Sequence, residues 1–208
     1  MLMHGQHNTL MPCYRERIRM DKNTGTATRY LDKLVRLLGD IDRSQIDRAI
    51  SLIEDAWLSG RQIITLGNGG SSLTALHYIT DWNNSIYLAT GKPFRGRSLV
   101  DNVGLLMAYA NDLAFEDVFV EQLKNLLTSG DLVIAISGSG NSPNVIKAVE
   151  YANDHGAVTL GLCGYRGGRL KDLAQNVVWA DVDDMQLAED IHFFFGHMVM
   201  QRLCGYGI

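Results

Sequence analysis

The chain has 208 residues, with 19 Lys+Arg against 23 Asp+Glu for a net charge of −4, 46% hydrophobic residues and 3 Pro. That length and hydrophobic share build one globular core and exclude a disordered chain or a bundle of membrane spans. No block of like charge offers the electrostatic footprint that nucleic-acid binding needs, so small molecules and proteins are the expected partners.

The start, Met1 to Met20, mixes His4, His7, Arg15, Arg17 and Arg19 with isolated apolar residues and lacks the apolar core of a signal peptide. Cys13, Cys163 and Cys204 are scattered and form no CxxC pair, which excludes a disulfide framework and a thiolate zinc site. The expectation is a cytoplasmic protein with a flexible segment over residues 1–28 and a single domain over 29–208. Two amphipathic helices come first, carried by Tyr30, Leu31, Leu34, Leu37 and Leu38, then by Ile46, Ile50, Ile53, Trp57 and Leu58. Asp42 or Ser44 caps the start of the second, and Leu58-Ser59-Gly60 ends it.

From there strand and helix alternate. Short apolar runs at Gln62–Leu66, Leu132–Ile136, Val158–Leu162 and Val177–Trp179, with a weaker one at Arg97–Leu99, predict about five strands. Helices are predicted at Ser71–Tyr87, Val103–Tyr109, Glu116–Leu127, Pro143–Asn153 and Gln186–Leu203. The alternation predicts an α/β three-layer sandwich around a mostly parallel sheet, doubly wound, with additional N-terminal helices. The last helix, with Ile191, Phe193, Phe194, Phe195, Met198, Met200 and Leu203, is apolar nearly all round, and a subunit interface is the simplest way to bury it.

Two strands run into loops of small residues and then into helices: Gly67-Asn68-Gly69-Gly70-Ser71-Ser72 and Ser137-Gly138-Ser139-Gly140-Asn141-Ser142-Pro143. Glycines let the backbone approach a ligand, the free N–H groups of the first helical turn point at it, and serine hydroxyls add donors. A phosphate is the anion this suits, although each loop alone also reads as an ordinary capped turn. The first lacks the ending of a Walker A loop and the second has Pro where GxGxxG needs Gly, which lowers the standing of nucleotides. His77 and Asp81, four apart on one helix, share a face. Glu189 and His197, eight apart on the last helix, are separated by ~12 Å along its axis.

The loop Gly67–Ser71, His77, the pair Asn111-Asp112, the loop Ser137–Ser142, and Glu189, His192 and His197 together resemble a sugar isomerase (SIS) domain, within that superfamily the sedoheptulose-7-phosphate (phosphoheptose) isomerases. The resemblance runs from about Leu31 to Leu203. It implies a flavodoxin-like SIS fold and an aldose–ketose isomerase working through an enediol on a phosphorylated sugar, most simply sedoheptulose 7-phosphate. It further implies zinc, or another divalent metal, held by His77, Asp81, Glu189 and His197, with His192 in reserve. Asp81 becomes the base and His197 its acid partner. Asn68, Gly69, Ser71, Asp112, Ser137, Gly138, Ser139, Ser142 and Glu189 become substrate contacts, and the assembly a homotetramer with active sites at subunit interfaces, without nucleic acid or membrane. The chain departs from the family pattern where Asp81 replaces glutamate, Glu189 replaces glutamine, Ser85 replaces arginine and Gly138 replaces threonine. The alternative is a non-catalytic SIS domain that senses sugar phosphates or binds other proteins, against which the retained histidines and carboxylates count.

Overall fold

The computed structural model describes residues 25–206, which divide at Gly39/Asp40 into two compact units. The described part of the first is α1 (Thr26–Asp40), which carries the first predicted helical pattern; residues 1–24, including most of the segment expected to be flexible, lie outside the described residues. The second unit begins with α2 (Arg43–Leu58), capped as expected: Asp42 Oδ1 accepts from Ser44 N at 2.9 Å, and Gly60 beyond the other end takes φ +68°.

Five strands follow, all parallel: β1 (Ile63–Gly67), β2 (Gly96–Ser98), β3 (Leu132–Ser137), β4 (Val158–Cys163) and β5 (Asn176–Trp179), in the order β2-β1-β3-β4-β5. Ile63 pairs with Gly96 on one side and Leu132 on the other, Leu132 with Val158, and Leu160 with Asn176. The two-residue period of the strands builds two cores. Ile63, Ile134, Ile136, Leu160 and Leu162 pack with Ile53, Trp57, Tyr78, Trp82 and Phe195, while Ile64, Leu66, Val133 and Ala135 pack with Val145, Val149 and Leu170. The sheet is thereby covered on both faces, and the three-layer sandwich read from the sequence is the observed architecture.

The helices over these faces are α3 (Gly70–Asp81), α4 (Tyr87–Thr90), α5 (Val103–Asp112), α6 (Val120–Leu126), α7 (Pro143–Asp154), α8 (Gly168–Leu173) and α9 (Met185–Cys204). Three differ from expectation. The single helix expected over Ser71–Tyr87 is interrupted by a π turn, Trp82–Ile86, between α3 and α4. Within it Asn83 is tied sideways to the edge strand, donating to Gly96 O and accepting from Gly96 N at 3.0 Å each, a demand outside the helix that periodicity cannot show. The segment expected as helix over Glu116–Leu127 opens as a 3-10 turn, Phe115–Asp117, before α6. α8, only six residues long, shows no periodic signal of its own.

α9 buries Leu187, Ile191, His192, Phe195, Val199 and Leu203 along one side, but Phe193 is 37% exposed, so within one chain the helix is not covered all round. No helix among the described residues is long and apolar enough to cross a membrane.

Candidate active site

α3 and α9 form the site, and aromatic side chains on α3 and at the start of the π turn after it fix how closely they approach. Tyr78 and Trp82, both fully buried and stacked with ring centroids 4.7 Å apart, face α9. Tyr78 OH donates to His192 O, and Trp82 Nε1 donates to Gly196 O at 3.0 Å. The Tyr78 ring occupies the space that a Cβ on Gly196 would need. Only glycine at that position lets the helices come this near.

One residue round each helix from this seam stand His77 and His197. Their Nε2 atoms lie 3.0 Å apart, so one ring donates and the other accepts. Asp81, one turn after His77, places Oδ2 3.3 Å from His77 Nε2. The shorter side chain at this position therefore still reaches the imidazole. Phe193 braces the pair, stacked on His77 at 4.5 Å between centroids and edge-on to His197 at 4.8 Å. All three ligand atoms fall within 4.8 Å of one another.

Two nitrogens bound to one tetrahedral zinc at ~2.0–2.1 Å stand about 3.3 Å apart, so the observed spacing and the borderline donor set of two imidazoles and one carboxylate fit a divalent metal with an open position. Glu189 does not join this group. Its carboxylate lies over the first turn of α3, where a Cβ on Gly70 would meet Oε1 at 2.6 Å. The ~12 Å rise between positions 189 and 197 accounts for the separation. His192 also stays apart: it is 1% exposed, and neither ring nitrogen has a hydrogen-bond partner. Burial pushes its pKa from 6.5 down to about 4, opposed by the nearby Cys163 backbone.

The two small-residue loops sit at the carboxyl ends of β1 and β3, which are neighbours in the sheet, the place where open α/β sheets bind ligands. Gly69, at φ +53°, precedes α3 without a side-chain cap; Ser142 precedes α7 and its hydroxyl likewise caps nothing. The opening N–H groups of α3 are therefore left to a ligand, whereas at α7 Pro143 brings no N–H and Val145 N donates to Asn144 Oδ1 at 2.9 Å, so the second loop offers chiefly its hydroxyls. Ser137 Oγ lies 3.4 Å from Ser142 Oγ, and Ser139 Oγ accepts from Asn141 N at 3.3 Å. Ser71 is buried, and Gly138 is packed against Met185 at the start of α9. Asp112 ends α5, exposed and bonded to Asn111 Nδ2 at 2.8 Å, with no described contact to the loops or the histidines.

Sequence reading missed Asn144, Phe193 and Gly196. Only Gly196 carried a signal, as a lone glycine inside an apolar helix beside a candidate histidine.

The SIS domain family model matches residues 29–164. A probable phosphoheptose isomerase of Thermoplasma acidophilum is 32% identical over 173 residues, covering 83% of this chain and 94% of that relative. The phosphoheptose isomerase of Campylobacter concisus is 34% identical over 170 residues, covering 81% and 86%. Among solved structures, a phosphoheptose isomerase from Francisella tularensis superposes with a TM-score of 0.80 at 22% identity, over 86% of this chain and 96% of that one, a likeness of fold.

Two predictions follow from the packing. In an unhindered helix Gly→Ala gains about 1 kcal/mol, whereas Gly196→Ala should lose about 1–3 kcal/mol in urea unfolding and weaken divalent-metal binding, because α9 must move away from Tyr78. His192 has a folded pKa of about 4, below its unfolded value of 6.5, so its contribution to stability is full above pH 6.5 and is lost as pH falls toward 4. That linkage is worth about 3 kcal/mol. Urea titrations at pH 7.5 and 4.5 should show a smaller loss in His192→Leu than in wild type; equal losses would remove His192 from the account.

Proposed function

We propose that this chain, which belongs to the SIS-domain family and is a sugar-phosphate isomerase, interconverts sedoheptulose 7-phosphate and a heptose 7-phosphate at a metal-assisted site. The observation that carries this reading is the convergence of His77 Nε2, His197 Nε2 and the Asp81 carboxylate, in a sheet whose neighbouring strands β1 and β3 end in two small-residue loops.

Aldose–ketose exchange moves a proton between neighbouring carbons and a second between their oxygens. Asp81 takes the proton from the carbon beside the carbonyl and returns it to the neighbour, the electron pair passing through an enediol. His197 donates to the carbonyl oxygen and accepts from the hydroxyl. His77 stands between them, its Nε2 3.0 Å from His197 Nε2 and 3.3 Å from Asp81 Oδ2, and keeps the three groups together. A divalent metal, zinc by preference, fits His77, Asp81 and His197 and when bound supplies polarisation of the two substrate oxygens.

The phosphate goes to the second loop. Glu189 already sets a carboxylate over the α3 N-terminus, which repels a second anion there. At the second loop no such charge is in place, and the hydroxyls of Ser139 and Ser142 receive it, with Ser137 and Gly138 lining the turn. Asn68, Gly69 and Ser71 face the reacting end, with Glu189 beside them. Asp112 reaches sugar hydroxyls from a neighbouring subunit of a homotetramer. The exposed Leu73, Met107, Leu113 and Phe115 support such an assembly, since contact between subunits would cover them. The reading places the enzyme in the cytoplasm and takes residues 29–208 as one SIS domain.

The test is an NMR assay of sedoheptulose 7-phosphate conversion. Asp81→Asn and His197→Ala should each lower kcat on the order of 10²-fold or more, while Ser142→Ala raises KM with kcat nearly kept. Wild-type protein that binds the sugar phosphate without converting it would overturn the isomerase reading for this substrate.

A further inference from the structure

The two loops are joined by a pair of side chains, one of which, Asn144, has no part in the chemistry above. Asn68 Nδ2 donates to Asn144 Oδ1 at 2.8 Å, and Asn144 Nδ2 donates back to Asn68 Oδ1 at 2.9 Å, a closed amide–amide pair between residues 76 positions apart. Asn144 Oδ1 also accepts from Val145 N at 2.9 Å. Asn144 is 1% exposed in the first turn of α7, so it cannot touch a ligand; Asn68 is the partly exposed member, in the first loop. Val145 N facing Asn144 Oδ1 fixes which end of that amide is the oxygen, and Asn68 meets it with the complementary Nδ2 and Oδ1.

We propose that Asn144 is a positioning residue that fixes the span between the phosphate seat on the second loop and the proton-transfer groups carried by α3, acting through Asn68. This deepens the preceding section and rests on its assignment of the two loops. The first loop leads directly into the helix that bears His77 and Asp81, and the second, the phosphate seat, into α7, whose first turn carries Asn144. β1 and β3 hold the loop bases in register, with Gly67 opposite Ile136, but beyond the strand ends the described hydrogen bonds that cross from one loop to the other are this pair. A fixed span selects a sugar phosphate by the distance from its phosphorus to the carbon that loses a proton. Removing Asn144 leaves the Asn68 amide and Val145 N without their partner and the loops free to separate.

The experiment compares wild type, Asn144→Ala, Asn68→Ala and the double variant Asn68→Ala/Asn144→Ala. Calorimetry measures binding of sedoheptulose 7-phosphate and of inorganic phosphate, and the NMR assay gives kcat and KM. Asn144→Ala should weaken sugar-phosphate binding about 10-fold while inorganic phosphate, which needs only the second loop, changes less than about twofold. Asn68→Ala removes the same two bonds and leaves Asn144 Oδ1 on Val145 N, so it tests the link should the alanine variant at position 144 fold poorly. The double variant should bind no more weakly than the worse single one, because both remove the same link. Equal weakening of both ligands would mean that the second loop has merely collapsed, and would overturn the proposal, as would additive effects or unchanged binding. Wild-type protein that binds neither ligand would overturn the loop assignment itself, a result distinct from wild-type binding that the variants leave intact.

Discussion

The approach of α9 to the aromatic face of α3 at Gly196 is the constraint on which the site depends. A helix pair ordinarily packs at 8–10 Å with side chains between the axes. Here the Tyr78 ring lies where a Cβ would be, and the Trp82 indole and Tyr78 hydroxyl bond directly to α9 backbone carbonyls. Two polar anchors inside an apolar seam restrict sliding as well as separation, because displacement strands a buried donor. The neighbouring positions on each helix, His77 and His197, inherit that geometry, and Phe193 closes over both rings. The convergent nitrogens are thus a consequence of the hydrophobic core immediately behind them.

Charge distributes the remaining roles. Glu189 places a carboxylate at the mouth of α3, and on the proposed reading this directs a phosphate to the second loop. Its carboxylate stays outside the histidine cluster.

The layered fold was legible because a buried parallel strand must be apolar on both faces and bounded by turn residues, as Leu132–Ile136 and Val158–Leu162 are. The loops were legible for a similar local reason. What the sequence hid was lateral. The π turn answers to Asn83 reaching β2, Asn144 answers to Asn68 across 76 residues, and the separation of Glu189 from His197 follows from a helix that stays straight enough to keep them apart. The pairing of His77 with His197 entered through family resemblance, since residues 120 apart in the chain share no periodic signal.

The central claim is that α3 and α9 together hold one metal between His77, Asp81 and His197. Anomalous scattering at the zinc edge, from crystals of the protein grown with zinc, tests it most directly. The account predicts a single strong peak ~2.0–2.2 Å from Nε2 of both histidines and from a carboxylate oxygen of Asp81. A peak seated on Glu189 and His192 instead, or none between the two helices, would contradict it.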